Sequence, residues 1–126
     1  MEPKRILLVD DEIAFTNLVK LNLERHGRYE VRVENSPTTA RAAVREFSPD
    51  LVLLDLIMPG KDGGQVLNEL RSDPDVAHVP VMFLTATISQ HGVDDRDGTI
   101  RGVPFVAKPV EPKRLEKRIE QVLAGA

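Results

Sequence analysis

Residues 6–12 read Ile6-Leu7-Leu8-Val9-Asp10-Asp11-Glu12, four apolar residues followed without a break by three acids. A short apolar run closed by polar residues is the pattern of a strand buried on both faces. It recurs down the chain: Leu51-Val52-Leu53-Leu54 stops at Asp55, Val81-Met82-Phe83-Leu84 at Thr85, and Phe105-Val106-Ala107 at Lys108. Tyr29-Glu30-Val31-Arg32-Val33 alternates instead, which suits one edge of a sheet. The last run starts at Pro104, and because proline donates nothing to a ladder, that strand is expected at the opposite edge.

Helical spacing fills the intervals. Ala14, Phe15, Leu18 and Leu21 form one stripe; Ala40, Ala43, Val44 and Phe47 another, behind a Ser36-Pro37 cap; Val66, Leu67 and Leu70 a third; Leu115, Ile119, Val122 and Leu123 the last. Each is expected to cover a face of the sheet. Strands alternating with helices predict an α/β fold, a doubly wound five-stranded parallel sheet in the order 2-1-3-4-5 with helices on both faces. From Ser89 to Gly102 the glycines Gly92, Gly98 and Gly102 interrupt any periodicity, so the fourth helix is expected to be short or frayed. With no repeat, low-complexity tract or linker, residues 4–123 are expected to form one domain.

Composition narrows the chemistry. The 126 residues carry 17 basic and 20 acidic side chains, a net charge of -3, which gives no general pull toward nucleic acid or an anionic membrane. There is no cysteine, so disulfides, thiolate metal sites and cysteine nucleophiles are excluded together. The N-terminal apolar run is too short for a signal peptide or a membrane span, which makes the cytoplasm the default expectation.

In an open parallel sheet, ligands bind beyond the carboxyl ends of the strands. The predicted order makes neighbours of the strands ending at Asp10, Asp55, Thr85 and Lys108. Carboxylates, a hydroxyl and an ammonium then converge. Two like charges about 4 Å apart repel by roughly 4 kcal/mol at an effective dielectric near 20, which a divalent cation would relieve. An all-oxygen, partly open site favours Mg²⁺, and such a site suits phosphoryl transfer to a carboxylate. Each piece also has a plainer role: Asp10 or Asp11 as a helix cap, Glu12 as a first-turn acid, Asp55 as a turn residue before Pro59-Gly60, Thr85 as a strand-end hydroxyl, Lys108 as a solvated lysine. Their joint placement is what argues for a site.

The blocks Leu8-Val9-Asp10-Asp11-Glu12, Leu53-Leu54-Asp55-Leu56-Ile57-Met58-Pro59-Gly60, Leu84-Thr85-Ala86 and Ala107-Lys108-Pro109 resemble the signatures of response-regulator receiver domains of two-component systems, including chemotaxis regulators. The resemblance spans essentially the whole chain and implies a flavodoxin-like fold. It implies that Asp55 accepts a phosphoryl group from a sensor histidine kinase or phosphotransfer protein. It further implies that Asp10, Asp11, Asp55 and the carbonyl of Ile57 hold Mg²⁺, with Asp10 acting largely through water, and that Thr85 and Lys108 contact the phosphoryl oxygens. Thr85 and Phe105 map to the family's switch pair, and the Lys108-Pro109 peptide is expected to be cis. Ile57 and Thr87 stand where the family tunes dephosphorylation. A downstream protein is expected as the target, and a phosphorylation-dependent homodimer stays open. So does the choice between a free-standing regulator and a piece of a larger protein.

Three other functions compete. A phosphohydrolase of the haloacid-dehalogenase kind would need a D-x-D-x-[TV] block and a cap; Asp10-Asp11-Glu12 lacks that spacing. A nucleotide or flavin binder would need Gly, Ser or Thr amides where the first loop is acidic. A receiver-like module that is never phosphorylated is opposed by the intact set Asp10, Asp11, Asp55, Thr85 and Lys108. Asp95-Arg96-Asp97-Gly98 fails as a calcium loop, Gly60 to Gly64 fails as a phosphate loop, and His26, His78 and His91 lack ligand spacing. The basic residues of the last helix interleave with Glu111, Glu116 and Glu120, as on a solvated face.

Overall fold

The computed structural model describes residues 2–85, 99–108 and 111–125, together with the backbone of 93–94. Its elements are β1 (Lys4–Val9), α1 (Ile13–Glu24), β2 (Tyr29–Glu34), a 3-10 turn (Pro37–Thr39), α2 (Ala40–Phe47), β3 (Leu51–Asp55), α3 (Gly63–Ser72), β4 (Val81–Thr85), β5 (Val93–Asp94), β6 (Thr99–Ile100), β7 (Val103–Ala107) and α4 (Pro112–Ala124). The sheet order is β2-β1-β3-β4-β7-β6-β5, and the first five strands are mutually parallel. The expected 2-1-3-4-5 order is therefore present, with β7 as its fifth strand. Residues 86–92, 95–98 and 109–110 are not among those described, so Thr87 and the Lys108-Pro109 peptide fall outside.

Alternate residues of each central strand face opposite layers, which is why the runs are apolar throughout. Leu7, Val9, Val52, Leu54, Val81 and Phe83 pack with Ala40, Val44, Val66 and Leu70 of α2 and α3. Ile6, Leu8, Leu51, Leu53, Met82 and Leu84 pack with Val19 and Leu23 of α1 and Leu115 and Ile119 of α4. β2 lies at the edge, paired only with β1, and its outer residues are wet as its alternation predicts.

Two expectations need correction. In α1 the face against the sheet is Thr16, Val19 and Leu23 with Phe15 beside them, whereas Ala14, Leu18 and Leu21 point outward. The helix carries two apolar stripes of helical period, so periodicity could not choose between them. The Thr16 hydroxyl settles inward by donating to the Ile13 carbonyl at 3.0 Å while it accepts from Asn35 Nδ2 at 3.1 Å.

The second correction concerns the far edge. Of the interval 89–102, where a short or frayed helix is expected, 89–92 and 95–98 lie outside the described residues; 93–94 and 99–100 form β5 and β6, antiparallel to each other, and β6 pairs antiparallel with β7. Arg101 and Gly102 join β6 to β7 with φ of 51° and 83°, the positive values a two-residue type I′ turn requires. β7 is thus not the edge. Ile100 and Val103 close the hairpin, which makes Thr99 and Pro104 the next, non-hydrogen-bonded pair, where a residue without an N–H is tolerated.

Candidate functional site

The site is built by strand ends. Asp10 follows β1, Asp55 ends β3, Thr85 ends β4 and Lys108 follows β7, all at the carboxyl edge of the parallel sheet. Backbone bonds carry the ladder past the strands: Asp10 N–H donates to Glu34 O at 3.1 Å, Leu56 N–H to Leu84 O at 2.8 Å and Lys108 N–H to Thr85 O at 2.8 Å. The side chains of Asp10, Asp55 and Thr85 are therefore set by the sheet and buried, with no loop to relax them.

Asp10, Asp11 and Asp55 can each present a carboxylate oxygen within 4.8 Å of the other two, Asp11 being the most open to solvent. Asp10 Oδ1 accepts from the Glu12 N–H at 2.9 Å, and Asp55 Oδ1 from the Ile57 N–H at 3.2 Å. Asp10 is not the helix cap, since Glu12 holds the N-cap position of α1; its Oδ1 closes a turn ahead of the helix and its second oxygen faces the site. There the Lys108 ammonium lies 2.6 Å from Asp10 Oδ2, 2.8 Å from Glu12 Oε1 and 3.6 Å from Asp55 Oδ2. Only the Glu12 contact has hydrogen-bond geometry; Asp10 Oδ2 meets the ammonium as a charge, without a hydrogen bond. The Phe15 ring sits 4.4 Å from the same ammonium.

One cation among these acids does not balance the charge. Burial, with Asp10 close by, pushes the Asp55 carboxyl up from 3.8 to about 6 against the pull of Lys108 and the Ile57 N–H. Burial likewise raises Asp10, opposed by Lys108 and the Glu12 N–H. Burial would lower Lys108, but Asp10 and Glu12 outweigh it and keep it protonated. Hard oxygen donors, unbalanced negative charge and one open side fit a divalent cation of the Mg²⁺ type.

Sequence reasoning missed four contributors. Gly63 starts α3 directly against the acidic loop: its N–H donates to Leu56 O at 2.8 Å, and a Cβ there would lie 2.5 Å from the Asp55 carbonyl oxygen. Asp62 caps that helix reciprocally with Gln65, at 2.9 Å each way, which fixes the approach. Glu12 was visible only as a first-turn acid and Phe15 only as core; a glutamate at an N-cap position was the available signal for the former. Phe105 is buried among Phe83, Ile100 and Val103 on the α2 and α3 side, and the Ile57 side chain is 60% exposed.

Comparison with known proteins agrees with this geometry. The family described as Response regulator receiver domain matches residues 6–120. The chain is 36% identical over 124 residues to Protein PilH of Pseudomonas aeruginosa, covering 96% of this chain and 98% of that one. It is 36% identical to the DNA-binding response regulator MtrA of Mycobacterium tuberculosis over 92% of this chain, but spans only 49% of that protein. Among solved structures, chemotaxis protein CheY4 of Vibrio cholerae superposes with a TM-score of 0.82 at 26% identity, covering 95% of this chain and 98% of that chain. A response regulator from Desulfuromonas acetoxidans gives 0.80 at 26% identity, covering 96% and 97%.

Proposed function

Because the chain belongs to the receiver domain family of response regulators, we propose that Asp55 is its phosphoacceptor and that Asp10, Asp11, Asp55 and the Ile57 carbonyl hold the Mg²⁺ the transfer needs. Bound there, the cation neutralises charge on the phosphoryl oxygens. The observation that carries the proposal is a buried carboxylate at the end of β3 facing one ammonium and two further acids.

An Asp55 carboxylate oxygen attacks phosphorus; the bond from phosphorus to the imidazole nitrogen of the donor breaks, and the electron pair leaves with the imidazole. Lys108, held close to Asp55, and the Thr85 hydroxyl, one residue past Leu84 in register with Asp55, stabilise the transferring oxygens. The domain thus assists its own phosphorylation and dephosphorylation, with 4–123 as the working unit. Thr85 and Phe105 serve as the switch that passes the phosphorylated state to a protein-binding surface.

Receiver domains are phosphorylated by histidine kinases. For this chain, the outward residues of α1, with Ile13 61%, Leu18 58% and Leu21 64% exposed, follow directly on the Asp10–Glu12 acids in sequence, and we assign them to the kinase or phosphotransfer protein. Among the described residues no helix is long and apolar enough to cross a membrane, and we place the exchange in the cytoplasm.

Incubation with Mg²⁺ and acetyl phosphate, read by intact mass, tests the assignment. Addition of one phosphoryl group, absent without Mg²⁺ and in Asp55→Asn, is expected; undiminished labelling of Asp55→Asn would refute it.

A further inference from the structure

Glu12 holds a position that its residue type does not suit. It is the N-cap of α1, with φ -85° and ψ 99°, yet its side chain makes no capping hydrogen bond. Ser, Thr, Asp or Asn would normally fill that role, and their loss costs about 1 kcal/mol. The carboxylate instead reaches Lys108, 96 residues away, and accepts from the ammonium at 2.8 Å. Phe15, one turn further along α1, presents its ring to the same ammonium at 4.4 Å. The first turn of α1 therefore grips Lys108 from two sides.

Lys108 is held on the α1 side of the site, its side chain 9% exposed, in contact with Asp10 and Glu12 and further from Asp55. Asp10 and Asp55 are also two of the three carboxylates that can share a cation. An ammonium and a divalent cation cannot both crowd the same oxygens without strong repulsion. Glu12 lies outside that trio and is open to solvent, so it is the acid on which the lysine can rest.

We propose that Glu12 is a positioning residue for Lys108: it shares the ammonium with Asp10 and holds it toward α1, away from Asp55, so that the acidic trio can take Mg²⁺ while the lysine stays beside the site. The proposal rests on the metal site described under Proposed function. Without the Glu12 charge, Lys108 pairs more fully with Asp10 and Asp55 and competes with the metal. The effect of Glu12 on metal binding must then run through Lys108.

A double-mutant cycle on the full chain, with Mg²⁺ binding measured by calorimetry, separates this from simple attraction between Glu12 and the metal. Glu12→Gln should weaken Mg²⁺ binding about five- to tenfold when Lys108 is present and less than about twofold in the Lys108→Met background. Equal weakening in both backgrounds, or none in either, overturns the proposal. A second readout needs no change at Lys108. In Mg²⁺-loaded protein its ¹⁵Nζ resonance should move in Glu12→Gln and stay in place in Glu111→Gln; an unmoved resonance in Glu12→Gln also overturns it. A wild-type chain that binds no Mg²⁺ would overturn the metal site itself, whereas binding with an additive cycle would overturn only the role of Glu12.

Discussion

The ammonium of Lys108 stands 3.6 Å from Oδ2 of Asp55, close enough to attract the carboxylate but beyond the reach of a good hydrogen bond. Asp55 consequently remains under-compensated in its buried site, and its carboxyl is pushed up to about 6.

That shift fixes the sign of a pH effect. Between about pH 4 and 6 the folded chain retains a proton on Asp55 that the unfolded chain has released. The resulting stability is fully present below the unfolded value near 4 and is lost as pH rises through about 6. At about 1.4 kcal/mol per pKa unit, the loss is on the order of 2–3 kcal/mol. Urea unfolding followed by circular dichroism should find Asp55→Asn more stable than the parent by about 2 kcal/mol at pH 7.5 and nearly equal to it at pH 4. Mg²⁺ should stabilise the parent at pH 7.5 and lose most of that effect in Asp55→Asn, because only the folded parent offers the full set of carboxylates.

Gly63 allows no side chain. A Cβ there meets backbone, the Asp55 carbonyl oxygen at 2.5 Å and the Leu56 Cα at 2.9 Å, and backbone at the end of a central strand cannot rotate away. Gly63→Ala should cost about 2–3 kcal/mol in urea unfolding and slow labelling by acetyl phosphate, since it displaces the main chain of Asp55. Gly64→Ala, whose Cβ would meet only the Asp62 side chain at 3.3 Å, should stay within about 1 kcal/mol of the parent.

The outward stripe of α1 predicts a split between two phosphodonors. Leu18 contributes little to the core, so Leu18→Asp should change stability by no more than about 0.5 kcal/mol. Labelling by acetyl phosphate should match wild type, while transfer from a phosphorylated histidine kinase that labels the parent chain should fall at least about tenfold. Equal loss with both donors would point to damage in the site instead of at a docking face.

Ile57 places an exposed hydrocarbon beside Asp55, the proposed phosphoacceptor, while its N–H donates to Asp55 Oδ1 at 3.2 Å. An apolar side chain cannot orient an attacking water. Ile57→Asn should therefore shorten the lifetime of the phosphorylated chain several-fold, as followed by intact mass after the phosphodonor is removed. An unchanged or longer lifetime would contradict this role for the side chain.

The central strands were legible because burial on both faces leaves an uninterrupted apolar run, and the acids, Thr85 and Lys108 were legible because each ends such a run. The inward face of α1 was not, since Ala14, Leu18 and Leu21 match a helix period as well as Phe15, Val19 and Leu23 do, and only packing breaks the tie. Nor was the β6–β7 hairpin: β6, at two residues, is too short for periodicity, and the turn depends on Arg101, a residue type with no preference for positive φ. The tie between Glu12 and Lys108 joins the two ends of the chain and leaves no local pattern. The close approach at Gly63 is written in the absence of a side chain, which a turn or a helix start explains equally well.

The central claim is that the phosphoryl group resides on Asp55. Borohydride reduction of the chain after incubation with Mg²⁺ and acetyl phosphate, followed by peptide mass mapping, reads the attachment point directly. Homoserine at position 55 alone is the predicted result; reduction at position 10 or 11, or a phosphoryl group that resists borohydride on a histidine, would contradict it.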